Sequence, residues 1–161
     1  MSRFLLGCLA AAFTAAAGWA QPDSRSVLGE RTPLLAAGAA AIQAGRYEDG
    51  IRLTSQGLET ETVPPRLRAA ALANMCAAHA AKGEPDAAIA LCDESVAIDP
   101  TNWRAYSNRA YAYWLKGMYA DATADVDTAA RIAPRAPQVK EIRGLINEKT
   151  LRPRVTMENR Q

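Results

Sequence analysis

The sequence is short of the side chains that usually carry chemistry. Its 161 residues hold one histidine, His79, and only 6% aromatics. A single histidine leaves no spare base to activate a serine or cysteine nucleophile. No glycine-rich phosphate loop occurs, and the three cysteines, Cys8, Cys76 and Cys92, lack the Cys-x-x-Cys spacing of a dithiol oxidoreductase. Net charge is +2, with no basic face interleaved with aromatics, so a nucleic-acid partner is not expected. Nor does the chain have an apolar run long enough to span a bilayer comfortably. These absences argue against an enzyme, and no cofactor, metal or small-molecule substrate is expected.

What remains is a chain that is 49% hydrophobic, enough for one modest domain whose core needs no cofactor. Arg3 precedes an apolar stretch from Phe4 to Ala17, followed by Gly18, Trp19 and Ala20. Small residues three and one before Gln21 mark residues 1–20 as a cleaved secretory signal peptide. An uncleaved anchor and lipidation at Cys8 are the weaker alternatives. The expected location is therefore outside the cytoplasm: periplasmic, with full secretion as the alternative. Residues 21–31 are polar and aperiodic and read as a linker. Charge is uneven beyond that point: residues 21–130 carry ten basic and fourteen acidic side chains, residues 131–161 eight and three. Residues 151–161 read as a flexible basic tail.

Between linker and tail the apolar pattern is helical and recurrent. Tyr106, Ala110 and Tyr113 share one helix face, Ala122, Val126 and Ala129 share another, and Gly117 separates the two. The same pattern recurs upstream around Gly83, flanked by Leu72, Met75, Cys76, His79, Ala88, Cys92 and Pro100. It recurs once more around Gly45, at a slightly wider interval, with Leu34, Ala37, Gly38, Ala41, Gly50, Leu53 and Leu58 around it. This first unit matches least well, because Gly50 and Gly57 replace alanines at about 0.5–1 kcal/mol each. Thr32 is expected to cap a helix that Pro33 opens, and Pro65 and Pro85 open two more. Pro137 begins a last helix through Val139, Ile142, Leu145 and Ile146.

The spacing resembles the tetratricopeptide repeat, a helix-turn-helix unit of roughly 34 residues. Only Arg109, where that pattern prefers leucine, departs clearly. The resemblance implies an all-α solenoid of three repeats, at 32–63, 65–100 and 101–134, closed by a capping helix at 135–150. The arrangement of Cys76 and Cys92 also resembles a subset of exported bacterial members of the family that carry cysteine at both places, so the resemblance implies a disulfide between them, with two buried free thiols as the alternative. His79 takes the place of a buried tyrosine and reads as a core histidine with one hydrogen bond. Asp93, Glu94, Asp121, Asp125 and Asp127 fall on second helices and read as an outer solvated face.

In this family first helices line a concave groove. The matching positions are Leu35, Ala39 and Ile42, then Ala73, Ala77 and Ala80, then Arg104, Ser107, Tyr111 and Trp114. Tyr111 and Trp114 stand out because aromatic side chains supply large contact area at small entropy cost; the competing reading packs them against the capping helix. A chaperone-binding branch grips a peptide's terminal carboxylates with two lysines, an arginine and two asparagines. Here those places hold Leu35, Ala39, Asn74, Arg104 and Asn108, and three of the five have lost that chemistry. The expectation is a non-enzymatic scaffold holding an extended apolar segment or amphipathic helix of an unidentified envelope protein. Weak self-association through the edge of the first unit, or a redox cycle of Cys76 and Cys92, are the rival functions.

Overall fold

The structure is a computed structural model that describes residues 32–150. The expected signal peptide, linker and basic tail, at 1–20, 21–31 and 151–161, lie outside the described residues. Within them are seven α-helices and no strand: α1 (Pro33–Gln43), α2 (Tyr47–Thr60), α3 (Pro65–Ala81), α4 (Pro85–Ile98), α5 (Trp103–Leu115), α6 (Tyr119–Ile132) and α7 (Pro137–Thr150).

Each hairpin turns at a glycine in the left-handed region, with φ of 75° at Gly45, 76° at Gly83 and 75° at Gly117. A β-carbon would be strained there, and glycine is not. The following amides close the turns: Arg46, Glu84 and Met118 each donate to the carbonyl five residues back, on Ala41, His79 and Tyr113, all at 2.9 Å. This is the Schellman arrangement that satisfies orphan carbonyls at a helix end.

The hairpins stack in sequence. First helices touch their successors, α1 against α3, α3 against α5 and α5 against α7, while no comparable contact joins α2 to α4 or α4 to α6. First helices therefore form the tight inner row and second helices splay outward, which makes the array concave on the first-helix side. Fully buried Cys76, Ala88, Cys92 and Ala105 form the core between the second and third units; Ala110, Ala122, Val126 and Ile142 form the one beneath α7. Small residues at these seams let helix axes approach closely.

The weak-looking first unit has its own logic. A β-carbon on Gly50 would fall on Ile42 Cγ1 and stand 3.0 Å from the Gly38 carbonyl oxygen; one on Gly57 would stand 2.8 Å from Leu35 Cδ2. These glycines are contact points where α1 and α2 meet, rather than defects in α2. The cap on α1 also differs from expectation. Thr32 makes no side-chain capping bond, and the Leu34 amide instead donates to Glu61 Oε1 at 2.8 Å. A carboxylate from the end of α2 thus sits at the positive end of α1.

Asp125 corrects the expectation of a solvated acidic face. It is 7% exposed and accepts two hydrogen bonds from Arg109, Nε to Oδ2 at 2.7 Å and Nη2 to Oδ1 at 2.8 Å. Arg109 Nη1 also donates to Asp93 of α4. Hydrogen bonding to Asp125 raises the arginine's pKa above its ordinary value, against the opposing pull of burial. The position that departs from the repeat pattern is therefore an ionic bolt joining α4, α5 and α6. Asp127 is likewise paired, with Arg143 of α7 at 2.7 Å.

Candidate partner-binding groove

The inner row of first helices presents a surface built mostly from alanine. Of the positions expected to line it, Leu35 (1% exposed), Ala39, Ala73, Ala80 and Ser107 (0%) are buried. Leu35 is seated in the core with Leu67 and Ala71 of α3. These five residues offer no surface to a partner and form the wall behind the groove. Ile42, Ala77, Arg104, Tyr111 and Trp114 are half-buried and share the inner row, as does Asn74.

Tyr111 and Trp114 stack, with ring centroids 5.8 Å apart and planes inclined by 13°. The indole N–H of Trp114 donates to the Leu145 carbonyl of α7 at 3.2 Å, and the ring packs on the core that holds Val139, Ile142 and Ile146. Trp114 is therefore a seat for α7 as well as a groove side chain. Tyr111 bridges the two core clusters and keeps part of its ring in the open. The Arg104 guanidinium lies over the Trp103 ring, 4.5 Å from its centroid, a cation–π placement that steadies a long side chain.

Asn108 has a structural task. Its Nδ2 donates to the Ala73 carbonyl at 2.8 Å, and its Oδ1 accepts from Gln138 Nε2 at 2.6 Å. This amide links α3, α5 and α7, and at 7% exposure it is buried away from a ligand in the groove. The sequence holds one clue to that link, since Gln138 lies one repeat length after Arg104 and so takes the same place on α7.

Cys76 of α3 and Cys92 of α4 are both 0% exposed. Their Cα atoms are 5.6 Å apart and their sulfurs are at bonding distance. His79 Nδ1 is 2.7 Å from Glu84 Oε2, and Lys82 Nζ meets Glu84 Oε1 at 3.0 Å and Glu48 Oε1 at 3.4 Å. The hydrogen bond from Lys82 is the main reason that the Glu84 carboxyl titrates below its usual range, with His79 the next contributor.

Residues 79–146 match the family model described as tetratricopeptide repeat. Among curated proteins, DnaJ homolog subfamily C member 3 of Gallus gallus is 31% identical over 100 residues, covering 62% of this chain and 20% of that protein. The Homo sapiens protein of the same name is 28% identical over the same length. The chain spans about a fifth of the length of these curated relatives. Among solved structures, the first TPR of Spaghetti (RPAP3) bound to HSP90 peptide SRMEEVD superposes with a TM-score of 0.63 at 18% identity, covering 78% of this chain and 96% of that one. The P58(IPK) TPR domain gives a TM-score of 0.63 at 24% identity, covering 74% and 34%. At these identities the structural likeness concerns the fold, an α-solenoid of three tetratricopeptide repeats and a capping helix.

Proposed function

We propose that this tetratricopeptide-repeat chain is a non-enzymatic scaffold of the bacterial envelope, exported by its first twenty residues, that holds an apolar segment of another protein in its groove. The observation that carries the reading is the Tyr111–Trp114 stack standing half-open on the inner row, to which half-buried Ala77, Ile42 and Arg104 also belong. An alanine floor is narrow and featureless, so one rigid aromatic supplies most of the anchoring contact. Peptides occupy some similar folds, as in the Spaghetti complex, which makes a peptide-like segment the natural ligand class. The terminal-carboxylate grip does not transfer, because Leu35 is buried, Ala39 has no polar group, and Asn108 is engaged by Ala73 and Gln138.

The proposed role of Cys76 and Cys92 is a structural disulfide that pins α3 to α4 beneath this floor, as suits an oxidising compartment. Their complete burial favours this over a redox cycle, since a thiol that exchanges needs access.

The test is selection of peptides from a random display library, followed by NMR titration of a selected peptide. Shifts confined to Ile42, Ala77, Arg104 and Tyr111, with binding lost in Tyr111→Ala, support the reading. Shifts confined to α2, α4 and α6 contradict it. Export is checked separately by N-terminal sequencing of the mature protein, which should begin at Gln21.

A further inference from the structure

Ala77 of α3, Tyr111 of α5 and Leu145 of α7 follow one another at one repeat length, and all three are half-buried. They form an apolar line across the inner row, with the Tyr111–Trp114 stack at its middle. The Leu145 carbonyl receives the Trp114 indole N–H, and α7 ends shortly beyond it, at Thr150. The chain therefore leaves α7 beside the aromatic stack, at one end of this line. The residues that follow alternate: Leu151, Pro153, Val155 and Met157 are apolar, while Arg152, Arg154, Thr156 and Glu158 are polar. Such a period of two belongs to an extended segment with one apolar edge. Pro153 supports it, because proline has no amide hydrogen to continue a helix and biases the residue before it toward extended backbone. Residues 21–31, on the other flank, show no such alternation.

We propose that residues 151–158 fold back across the inner row as an extended segment, with Pro153 and Val155 over the Tyr111–Trp114 stack and Met157 over Ala77. The chain then occupies its own groove, and a partner segment binds by displacing it. The reach fits. From Leu151 to Met157 an extended backbone covers about 20 Å at roughly 3.3–3.6 Å per residue, which is two interaxial steps of about 8–10 Å, from α7 to α5 and from α5 to α3. A segment tethered this closely acts at an effective concentration of about millimolar, so contacts too weak to hold a free peptide suffice to hold it. The displacement rests on the groove reading proposed above; the path of the tail does not.

A nitroxide on Glu158→Cys of the mature chain tests the path, since it stands on the polar edge of the segment and Cys76 and Cys92 are too buried to take the label. The amide signals of Ala77 and Tyr111 should broaden, and that of Ala124 on α6 should stay sharp. Val155→Asp combined with Met157→Asp should restore the broadened signals and raise the affinity for a library-selected groove peptide about tenfold. Sharp signals at Ala77 and Tyr111 overturn the proposal, whether the tail stays in solvent or packs elsewhere. So does broadening that arises only between chains, in a mixture of nitroxide-bearing and isotope-labelled copies, because the tail then lies in the groove of a second copy. An affinity that the two aspartates leave unchanged overturns it as well. Broadening at Ala77 and Tyr111 in a chain that selects no peptide supports the folded-back tail and removes the partner reading instead.

Discussion

Arg143 Nη1 lies 2.7 Å from Asp127 Oδ1, and this pair is the Arg109–Asp93 pair displaced by one repeat length along both partners. The same two places in the preceding units hold Met75 and Ser55, whose sulfur and hydroxyl also face each other, at 4.0 Å. A second series runs beside it: Lys82 reaches Glu48, and Lys116 reaches Asp86. These recurring contacts set α7 in the register of a fourth first helix, docked on α6 as α3 docks on α2 and α5 on α4. α7 therefore continues the inner row of first helices in the same register.

The Arg109 bolt makes a double-mutant prediction. Arg109→Ala strands a buried carboxylate on Asp125 and should cost about 3 kcal/mol in urea unfolding. Replacing both Arg109 and Asp125 with leucine should recover most of that loss, because an apolar pair needs no solvation. A double variant as unstable as the single would show that Asp93, not Asp125, is the essential partner.

Two glycines should respond in opposite directions. Gly50→Ala drives a β-carbon onto Ile42 and within 3.0 Å of the Gly38 carbonyl, and should destabilise by about 1–3 kcal/mol. Gly144→Ala meets nothing and should stabilise by about 0.5–1 kcal/mol. Thermal unfolding of the two variants against the parent checks the pair.

The turn between α3 and α4 carries a pH dependence. Because Glu84 has its carboxyl held below the unfolded value by Lys82 and His79, its contribution is present above that unfolded value, about 4.3, and is lost as pH falls through the lower folded one. The melting temperatures of the parent and Glu84→Gln should differ at neutral pH and converge in acid. A gap that persists at low pH would contradict the assignment.

If Cys76 and Cys92 are joined, the oxidised chain weighs two hydrogens less than the reduced one. With the partners 16 residues apart in sequence, reduction should lower stability by about 3 kcal/mol in the chain-entropy account. Mass spectrometry and urea unfolding with and without reductant measure both quantities. Equal midpoints would remove the disulfide's structural role.

How far the sequence discloses this architecture depends on the kind of signal. Gly45, Gly83 and Gly117 were legible as turns because positive φ leaves few alternatives, and Pro33, Pro65, Pro85 and Pro137 were legible as first helical residues because each lacks an amide hydrogen. Burial within a shared helix face was not legible. Leu35 and Ser107 take groove positions in the family resemblance, yet both side chains are buried, Leu35 in a core with Leu67 and Ala71. Asp125 looked solvated because no local pattern ties it to an arginine sixteen residues earlier on another helix. Glu61 capping α1 was hidden for the same reason, with 27 residues between donor and acceptor. Long-range polar partners are set by stacking, which the repeat period locates only after both ends of the pair are known.

The groove is tested most directly by photocrosslinking in cells from two positions in turn, Ala77 on the inner row and Ala124 on the outer face of α6. The account predicts one dominant partner adduct from position 77, absent from position 124 and abolished when Tyr111 is replaced by alanine. An adduct of equal yield from position 124, or one at position 77 that survives Tyr111→Ala, would contradict it.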